Sequence, residues 1–165
     1  NRGLGGELGH ITVNRDESEK CNCGNKGCLE QYASATGVVK IAKRLLAERY
    51  SDSMIRNVEH LSAKKIFDAA KKKDGIAVEA VETLANYLGM AMATVTLTID
   101  PDVFVIGGGV SNAGEILVNT IEHYYKKYLS ISEKRAKIVL ASLGNDAGIY
   151  GAARMVLDQD VVEEE

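Results

Sequence analysis

The hydrophobic positions of this chain fall into two patterns, helical spacing and short continuous runs. The longest helical pattern follows Asp74, where apolar residues recur every three or four positions up to Ile99, and Pro101 then prevents the helix from continuing. Two continuous apolar runs, over residues 103–106 and 137–142, are typical of strands buried on both faces of a parallel sheet. The patterning therefore predicts an α/β fold.

Shorter patterns complete the predicted element order. Ser62 and Asp74 are suitable N-caps for the helices that follow them. The other predicted elements are a strand over residues 8–13, a polar loop over 14–28, a helical stretch over 28–50 interrupted at Gly37, a helix over 113–128, a final helix over 148–158 and a frayed tail over 161–165.

Length and charge narrow the classes of protein to which the chain can belong. With 165 residues, 45% of them hydrophobic, the chain suits one domain with a real core. The net charge is -3 and no basic stripe is present, so nucleic-acid binding is not indicated. No apolar run reaches the ~18 residues of a membrane span, and no signal-peptide pattern opens the chain, so we expect a cytoplasmic protein. Because the first residue is Asn1 and not Met, we also expect the sequence to be part of a longer protein.

All three cysteines lie within one polar loop, as Cys21, Cys23 and Cys28, and His10 precedes them. An odd, clustered set of thiols is not a disulfide framework. Three thiolates and one imidazole suit a closed, structural zinc site. Three reduced cysteines without a metal are the alternative, whereas a redox dithiol is less consistent with the C-x-C spacing.

Two motifs lie in this region, GELGH at residues 6–10 and CNCGNKGCLE at residues 21–30. They resemble the signature of the ROK (repressor, ORF, kinase) family and contain every fixed position of its pattern, G-E-x-G-H followed by C-x-C-G-x-x-G-C-x-E. The segments QYASATGVVKIA, VIGGGVSNAGE and LGNDAGIYGAA resemble later segments of the family's glucokinases. One departure is Asp100, where those glucokinases usually carry Asn.

The resemblance implies a fold and an arrangement of domains. Residues 1–165 would form a single C-terminal lobe of the actin-like ATPase, or ribonuclease H-like, fold with a zinc-binding loop. The helix over residues 148–158 would pack on an N-terminal lobe. Its apolar face would otherwise be exposed, so we expect the chain to form a homo-oligomer, with a repositioned helix as the alternative.

The resemblance also implies roles for individual residues. Glu7 and Glu30 would bind sugar hydroxyls, for which carboxylates are strong acceptors. His10 would bind Zn2+ with Cys21, Cys23 and Cys28, and its other ring nitrogen would face the sugar. Gly107, Gly108 and Gly109 would contact ATP, used with Mg2+, although the glycines alone are equally typical of a tight turn between a strand and a helix.

The function implied is that of a glucokinase, which transfers a phosphoryl group from ATP to the 6-hydroxyl of glucose. A sugar-sensing domain of a ROK transcriptional repressor, and a kinase for fructose or an N-acetylated amino sugar, remain alternatives. The family's general-base aspartate precedes the GELGH motif, so we expect the 165-residue chain alone to be inactive.

Overall fold

A computed structural model of the protein describes residues 3–159, apart from the side chains of Asn112, Asn145, Asp158 and Gln159, so the predicted frayed tail lies outside the described residues. From α1 onward the helices and strands follow the predicted α/β order: α1 Ala35–Glu48, α2 Ala63–Lys71, α3 Gly75–Ile99, β1 Val103–Ile106, α4 Glu115–Tyr128, β2 Lys137–Leu140 and α5 Ala147–Gln159. Short 3-10 turns cover Leu8–His10, Leu29–Gln31, Ser111–Ala113 and Gly144–Asp146.

The long helix α3 is the centre of the packing, and α1, α2 and α4 all contact it. Both predicted N-caps are confirmed, since the Ser62 side chain accepts from the backbone N–H of Lys65 and the Asp74 side chain accepts from that of Ala77. At the C-terminus of α3, Asp100 adopts φ 46° and ψ 62°, which lie in the left-handed region. Asp and Asn enter this region more readily than other non-glycine residues, which explains why either can end this helix.

Helices α3 and α4 approach each other closely at Gly89. A Cβ atom at this position would lie 2.7 Å from the Tyr125 backbone nitrogen and 2.8 Å from the Tyr124 Cβ. Two turns further along α3, the Thr96 hydroxyl is 2.8 Å from the buried Tyr125 hydroxyl. This contact gives the apolar interface between the two helices a satisfied polar pair.

Strands β1 and β2 pair in parallel, with Val103 opposite Lys137 and Ile106 opposite Leu140. The prediction that both faces of β1 are buried is wrong, because Val103 is 45% and Val105 is 59% exposed. The alternate residues, including Phe104, pack on the hydrophobic core. The helices that contact this sheet cover one face only within the described part of the chain.

The predicted strand over residues 8–13 is also wrong. Leu8–His10 forms a 3-10 turn, and the backbone after it makes a single antiparallel bridge, between Thr12 and Cys28. The predicted helical stretch from Cys28 becomes the short Leu29–Gln31 turn, and α1 begins at Ala35 after a Ser34 cap. No helix in the described range 3–159 is long and apolar enough to cross a membrane.

Candidate metal centre

His10, Cys21, Cys23 and Cys28 converge at one point of the loop. Each offers one ligand atom, and these atoms all lie within 4.8 Å of one another. The Sγ atoms of Cys23 and Cys28 are 3.6 Å apart, and His10 Nδ1 is 3.8 Å from Cys21 Sγ. In a tetrahedral zinc site with Zn–S bonds of ~2.3 Å, neighbouring sulfurs lie about 3.8 Å apart. The donor set and its spacing therefore fit a closed tetrahedral zinc site.

A tight backbone fold brings the cysteines together. The Cys21 N–H donates to the Asn25 carbonyl at 2.7 Å, and the Gly24 N–H donates to the Cys21 carbonyl at 2.9 Å. At Gly27 φ is +70°, and a Cβ atom there would lie 1.6 Å from the Asn14 carbonyl oxygen. Only glycine lets the second half of the loop lie against its beginning.

The sulfur atoms differ in their environments. Burial, together with hydrogen bonding to the neighbouring thiols of Cys23 and Cys21, raises the pKa of the Cys28 thiol to about 12. A backbone hydrogen bond at Asn25 lowers the pKa of the exposed Cys23. A cation bound beside a buried thiol favours the thiolate form, so metal binding here would be accompanied by loss of the Cys28 proton.

Two carboxylates flank the imidazole of His10. Glu7 Oε2 is 3.8 Å from Nε2, and Glu30 Oε2 is 4.0 Å from Nδ1. Glu30 Oε2 is also 3.7 Å from Cys21 Sγ. The side chains of Glu7 and Glu30 are 61% and 50% exposed, so their oxygens are accessible to a hydroxyl-rich ligand. With Nδ1 toward the sulfurs, Nε2 faces the same side as Glu7.

The glycine run lies elsewhere, at the carboxyl end of β1. Gly108 has φ +75°, and the Ser111 hydroxyl donates to its carbonyl at 2.7 Å. Gly109 approaches the first turn of α1, since a Cβ atom there would lie 3.4 Å from the Ala35 Cβ. Glu30 lies on the Leu29–Gln31 turn just before α1, so a short segment links Glu30 to the end of α1 that Gly109 approaches.

Gly109 also lines a small cavity of about 170 Å3 together with Lys64, Phe67, Asp68 and Ala113. The glycines lie between a strand and a helix. This position is compatible with both interpretations from the sequence, a segment that contacts ATP and a tight turn without that role.

The sequence reasoning missed a second polar cluster, centred on Glu17. Hydrogen bonds from Arg44 lower the pKa of this carboxyl to about 2, against the opposing effect of burial and with the help of the Tyr32 hydroxyl. Burial, with the hydrogen bond to Glu17, raises the pKa of Tyr32 to about 12. Nothing in the local sequence marks Glu17, because its partners come from residues far along the chain. The other two histidines, His60 and His123, are exposed.

Comparison with known proteins places the chain in a family. A family model described as "ROK family" matches residues 1–159. The chain belongs to the ROK family. The glucokinase of Halalkalibacterium halodurans is 40% identical over 162 residues, which cover 96% of this chain and 49% of that protein. The glucokinase of Thermotoga maritima is 36% identical, with 95% and 50% covered.

Solved structures agree with this placement. A ROK family glucokinase from Streptomyces griseus, in complex with glucose and AMPPNP, superposes with a TM-score of 0.81 at 34% identity, over 90% of this chain and 50% of that one. The α/β fold is therefore that of the ROK sugar kinases, within the actin-like ATPase group. A putative xylose repressor from Caldicellulosiruptor is 29% identical over 159 residues, 94% of this chain and 40% of that protein. This ROK chain spans about half the length of the curated relatives it matches.

Proposed function

We propose that this chain is the sugar- and ATP-binding part of an ATP-dependent glucokinase. The reaction transfers the γ-phosphoryl group of ATP to the glucose 6-hydroxyl, and the hydroxyl proton goes to a base. The observation that carries the proposal is the position of His10, whose Nδ1 faces the cysteines while Nε2 lies 3.8 Å from a Glu7 oxygen. The similarity to proteins named glucokinase supports the choice of reaction.

In this proposal His10, Cys21, Cys23 and Cys28 hold a structural Zn2+ ion. Four protein ligands leave no open position for water, so the ion supplies rigidity and no chemistry of its own. A histidine bound through one nitrogen is fixed in tautomer and orientation, which gives Nε2 a defined hydrogen-bonding role. Loss of the metal would therefore weaken the sugar site.

Glu7 and Glu30 bind the sugar in this proposal. Each carboxylate accepts two or more hydrogen bonds from hydroxyl groups, and these charge-assisted bonds are stronger than neutral ones. Their position on either side of His10 provides three polar groups for one face of a hexose. This positions the substrate, which together with charge stabilisation accounts for most of the catalysis in phosphoryl transfer.

Gly107, Gly108 and Gly109 contact ATP in this proposal. The turn joins a strand to the Ser111–Ala113 turn and α4, whose N-terminal N–H groups have no side-chain cap at Gly114. Backbone N–H groups at the N-terminus of a helix attract phosphate oxygens. Mg2+ would enter with the nucleotide. Kinase activity is proposed for a longer protein in which this chain joins the half that its relatives carry.

A sugar-sensing role is the second candidate, because a repressor of the same family matches nearly the whole chain. Such a domain would bind the sugar without phosphorylating it. A kinase for N-acetylglucosamine is a further alternative, as a relative of that name from Vibrio cholerae is 35% identical over 159 residues. Turnover with glucose, fructose and N-acetylglucosamine, measured on the longer protein in a coupled assay, separates these roles.

Metal content and glucose binding test the site on the chain itself. We expect close to one zinc per chain in protein purified without chelator, and loss of both zinc and glucose binding in the His10→Gln variant. His123→Gln, at an exposed helical histidine, is the control and should retain both. Less than about 0.2 zinc per chain in the unaltered protein would contradict the metal site.

A further inference from the structure

Glu17 is a buried carboxylate in an otherwise polar, solvent-facing loop. Its side chain is 3% exposed, whereas the neighbouring Asp16 and Ser18 are exposed. The carboxylate accepts hydrogen bonds from the Tyr32 hydroxyl at 2.6 Å, from the Arg44 guanidinium at 2.7 and 3.0 Å, and from the backbone N–H of Glu19 at 2.9 Å. Both oxygens are therefore satisfied, and the pairing with Arg44 is bidentate.

Helix α1 supplies the cations for this part of the loop. Lys40 and Arg44 lie one turn apart on the helix. Lys40 Nζ is 2.8 Å from Glu19 Oε2, and an Arg44 nitrogen is 3.2 Å from the same oxygen. We call the five residues Glu17, Glu19, Tyr32, Lys40 and Arg44 the loop clasp. Two acidic residues of the loop thus face two basic residues of one helix.

The clasp is anchored in the core. The Tyr32 ring lies against the ring of Tyr87 on α3, with 4.2 Å between centroids. The Tyr32 hydroxyl also accepts from the Asn14 side chain at 2.9 Å. Asn14 is the residue against which Gly27 packs. One connected network therefore joins α3, α1 and both ends of the metal loop.

The clasp reaches the metal ligands through Gln31. Glu19 lies two residues before Cys21, and its carbonyl accepts from Gln31 Nε2 at 3.1 Å. The other end of the same amide, Gln31 Oε1, accepts from the Cys28 backbone N–H at 3.0 Å. A displacement of Glu19 would be transmitted to Cys21 along the backbone and to Cys28 through this amide.

Apart from its cysteines, of which Cys21 and Cys28 are buried, the loop over residues 14–28 has no apolar residue to hold this geometry by burial. Residues 14–20 read NRDESEK, and residues 22–26 are exposed. Where the hydrophobic effect contributes little, the position of a segment depends on its directional polar contacts.

We propose that Glu17 is a positioning residue of the metal centre, which through its bidentate pairing with Arg44 keeps Cys21 and Cys28 at ligand spacing. The inference rests on the proposed zinc site. It adds that firm metal binding requires the Glu17–Arg44 pair as well as the four ligands. Glu17 acts through the loop and touches neither the metal nor the sugar. Replacement of Glu17 should therefore change the rate at which the protein releases the metal.

The test is the rate of zinc release from the folded 165-residue chain to a chromogenic chelator. For Glu17→Gln and Arg44→Met we expect release at least about tenfold faster than from the unaltered protein, as is usual when outer contacts of a metal site are lost. Arg49→Met is the matched control, because Arg49 makes a bidentate pair with Glu79 that joins the end of α1 to α3. This variant should release zinc at the unaltered rate even if its melting temperature falls.

Cobalt substitution gives an independent readout. The visible absorption of tetrahedral Co2+ bound by the three cysteines and His10 should weaken in Glu17→Gln and persist in Arg49→Met. If Glu17→Gln does not fold, Tyr32→Phe takes its place, since it removes one hydrogen bond to the same carboxylate and keeps the ring.

Zinc release at the unaltered rate from the clasp variants would overturn the inference while leaving the metal site intact. Equal acceleration in Arg49→Met would also overturn it, because the effect would then be one of general stability. An unaltered protein that holds no zinc would overturn the metal site and the inference together.

Discussion

Gly27 is the residue at which the metal loop tolerates least change. Gly24 in the same loop also has a positive φ, but only Gly27 lies so close to the Asn14 carbonyl that a Cβ atom would overlap it. Gly24, with φ +91°, has open space where a Cβ atom would be. A substitution at Gly24 therefore introduces backbone strain alone, whereas one at Gly27 also introduces a steric clash.

We expect Gly27→Ala to remove zinc binding and Gly24→Ala to preserve it. The first change would place a Cβ atom 1.6 Å from a backbone oxygen, so the loop must move, whereas the second adds strain of about 1 kcal/mol. Elemental analysis of both purified variants measures the difference. Stoichiometric zinc in Gly27→Ala would show that the loop can rearrange without losing its ligands.

Glu17 makes the stability of the protein depend on pH in the acid range. The Arg44 pairing lowers the pKa of Glu17 from 4.5 to about 2 in the folded protein. A carboxyl with a lowered pKa contributes stability that is complete above the unfolded value, near 4.5, and is lost as pH falls toward 2. The contribution is on the order of 3 kcal/mol.

Urea unfolding as a function of pH tests this contribution. At pH 6 we expect the free energy of unfolding of Glu17→Gln to be lower than that of the unaltered protein. The difference should shrink steadily below pH 4.5. A chelator in both samples removes the contribution of metal release. A difference that stays constant from pH 6 to pH 3 would contradict the assignment.

At the scale of elements, the α3–α4 interface depends on the absence of a side chain at Gly89. The backbone of α4 lies where a Cβ atom would be, so the two helices approach more closely than larger residues permit. Tyr125 connects this interface to β2, since its hydroxyl accepts from the Ala136 N–H at 3.3 Å. Helix spacing and sheet position are thus coupled.

We expect Gly89→Ala to lower the free energy of unfolding by about 1–3 kcal/mol, although alanine favours helix more than glycine does. Gly75→Ala in the first turn of the same helix is the control, because open space surrounds that position. Thermal or urea unfolding of the two variants measures the difference. Equal stability of both would mean that the helices separate at little cost.

At the scale of the whole molecule, two apolar surfaces are left exposed in the described part of the chain. The outward face of the sheet carries Val103, Val105 and Val139, and α5 exposes Ile149 and Val156. Helix α5 packs against the Gly144–Asp146 turn. Surfaces of this kind are typical of interfaces, which agrees with our proposal that the 148–158 helix packs on a further lobe in a longer protein.

We expect the 165-residue chain to self-associate through these surfaces. Light scattering should give a mass above the 17.8 kDa of one chain at micromolar concentrations, and the double variant Ile149→Glu with Val156→Glu should lower it. Tyr50→Glu, at a side chain that is 99% exposed in the α1–α2 connection, is the control and should leave the mass unchanged. A monomeric unaltered chain would contradict the expectation.

The sequence by itself determined the element order from α1 to α5, the caps at Ser62 and Asp74, and the set of four side chains that meet in the metal loop. These features depend on near neighbours: a cap needs the N–H three residues on, and closely spaced cysteines cannot diverge far. The zinc, sugar and ATP roles of the site residues stay proposals.

Only the tertiary structure decided which faces are covered and which charges are buried. The apolar run over residues 103–106 predicts that Val105 is a core residue, yet it is 59% exposed. The burial of a strand residue depends on what packs over that face of the sheet and not on the strand's own sequence. Glu17 reads as a loop residue in water, yet it is buried, because its partner Arg44 lies 27 residues away and meets it only after α1 has packed. Local sequence determines an element's type and its ends, and the environment of each side chain follows from contacts that the chain makes at a distance.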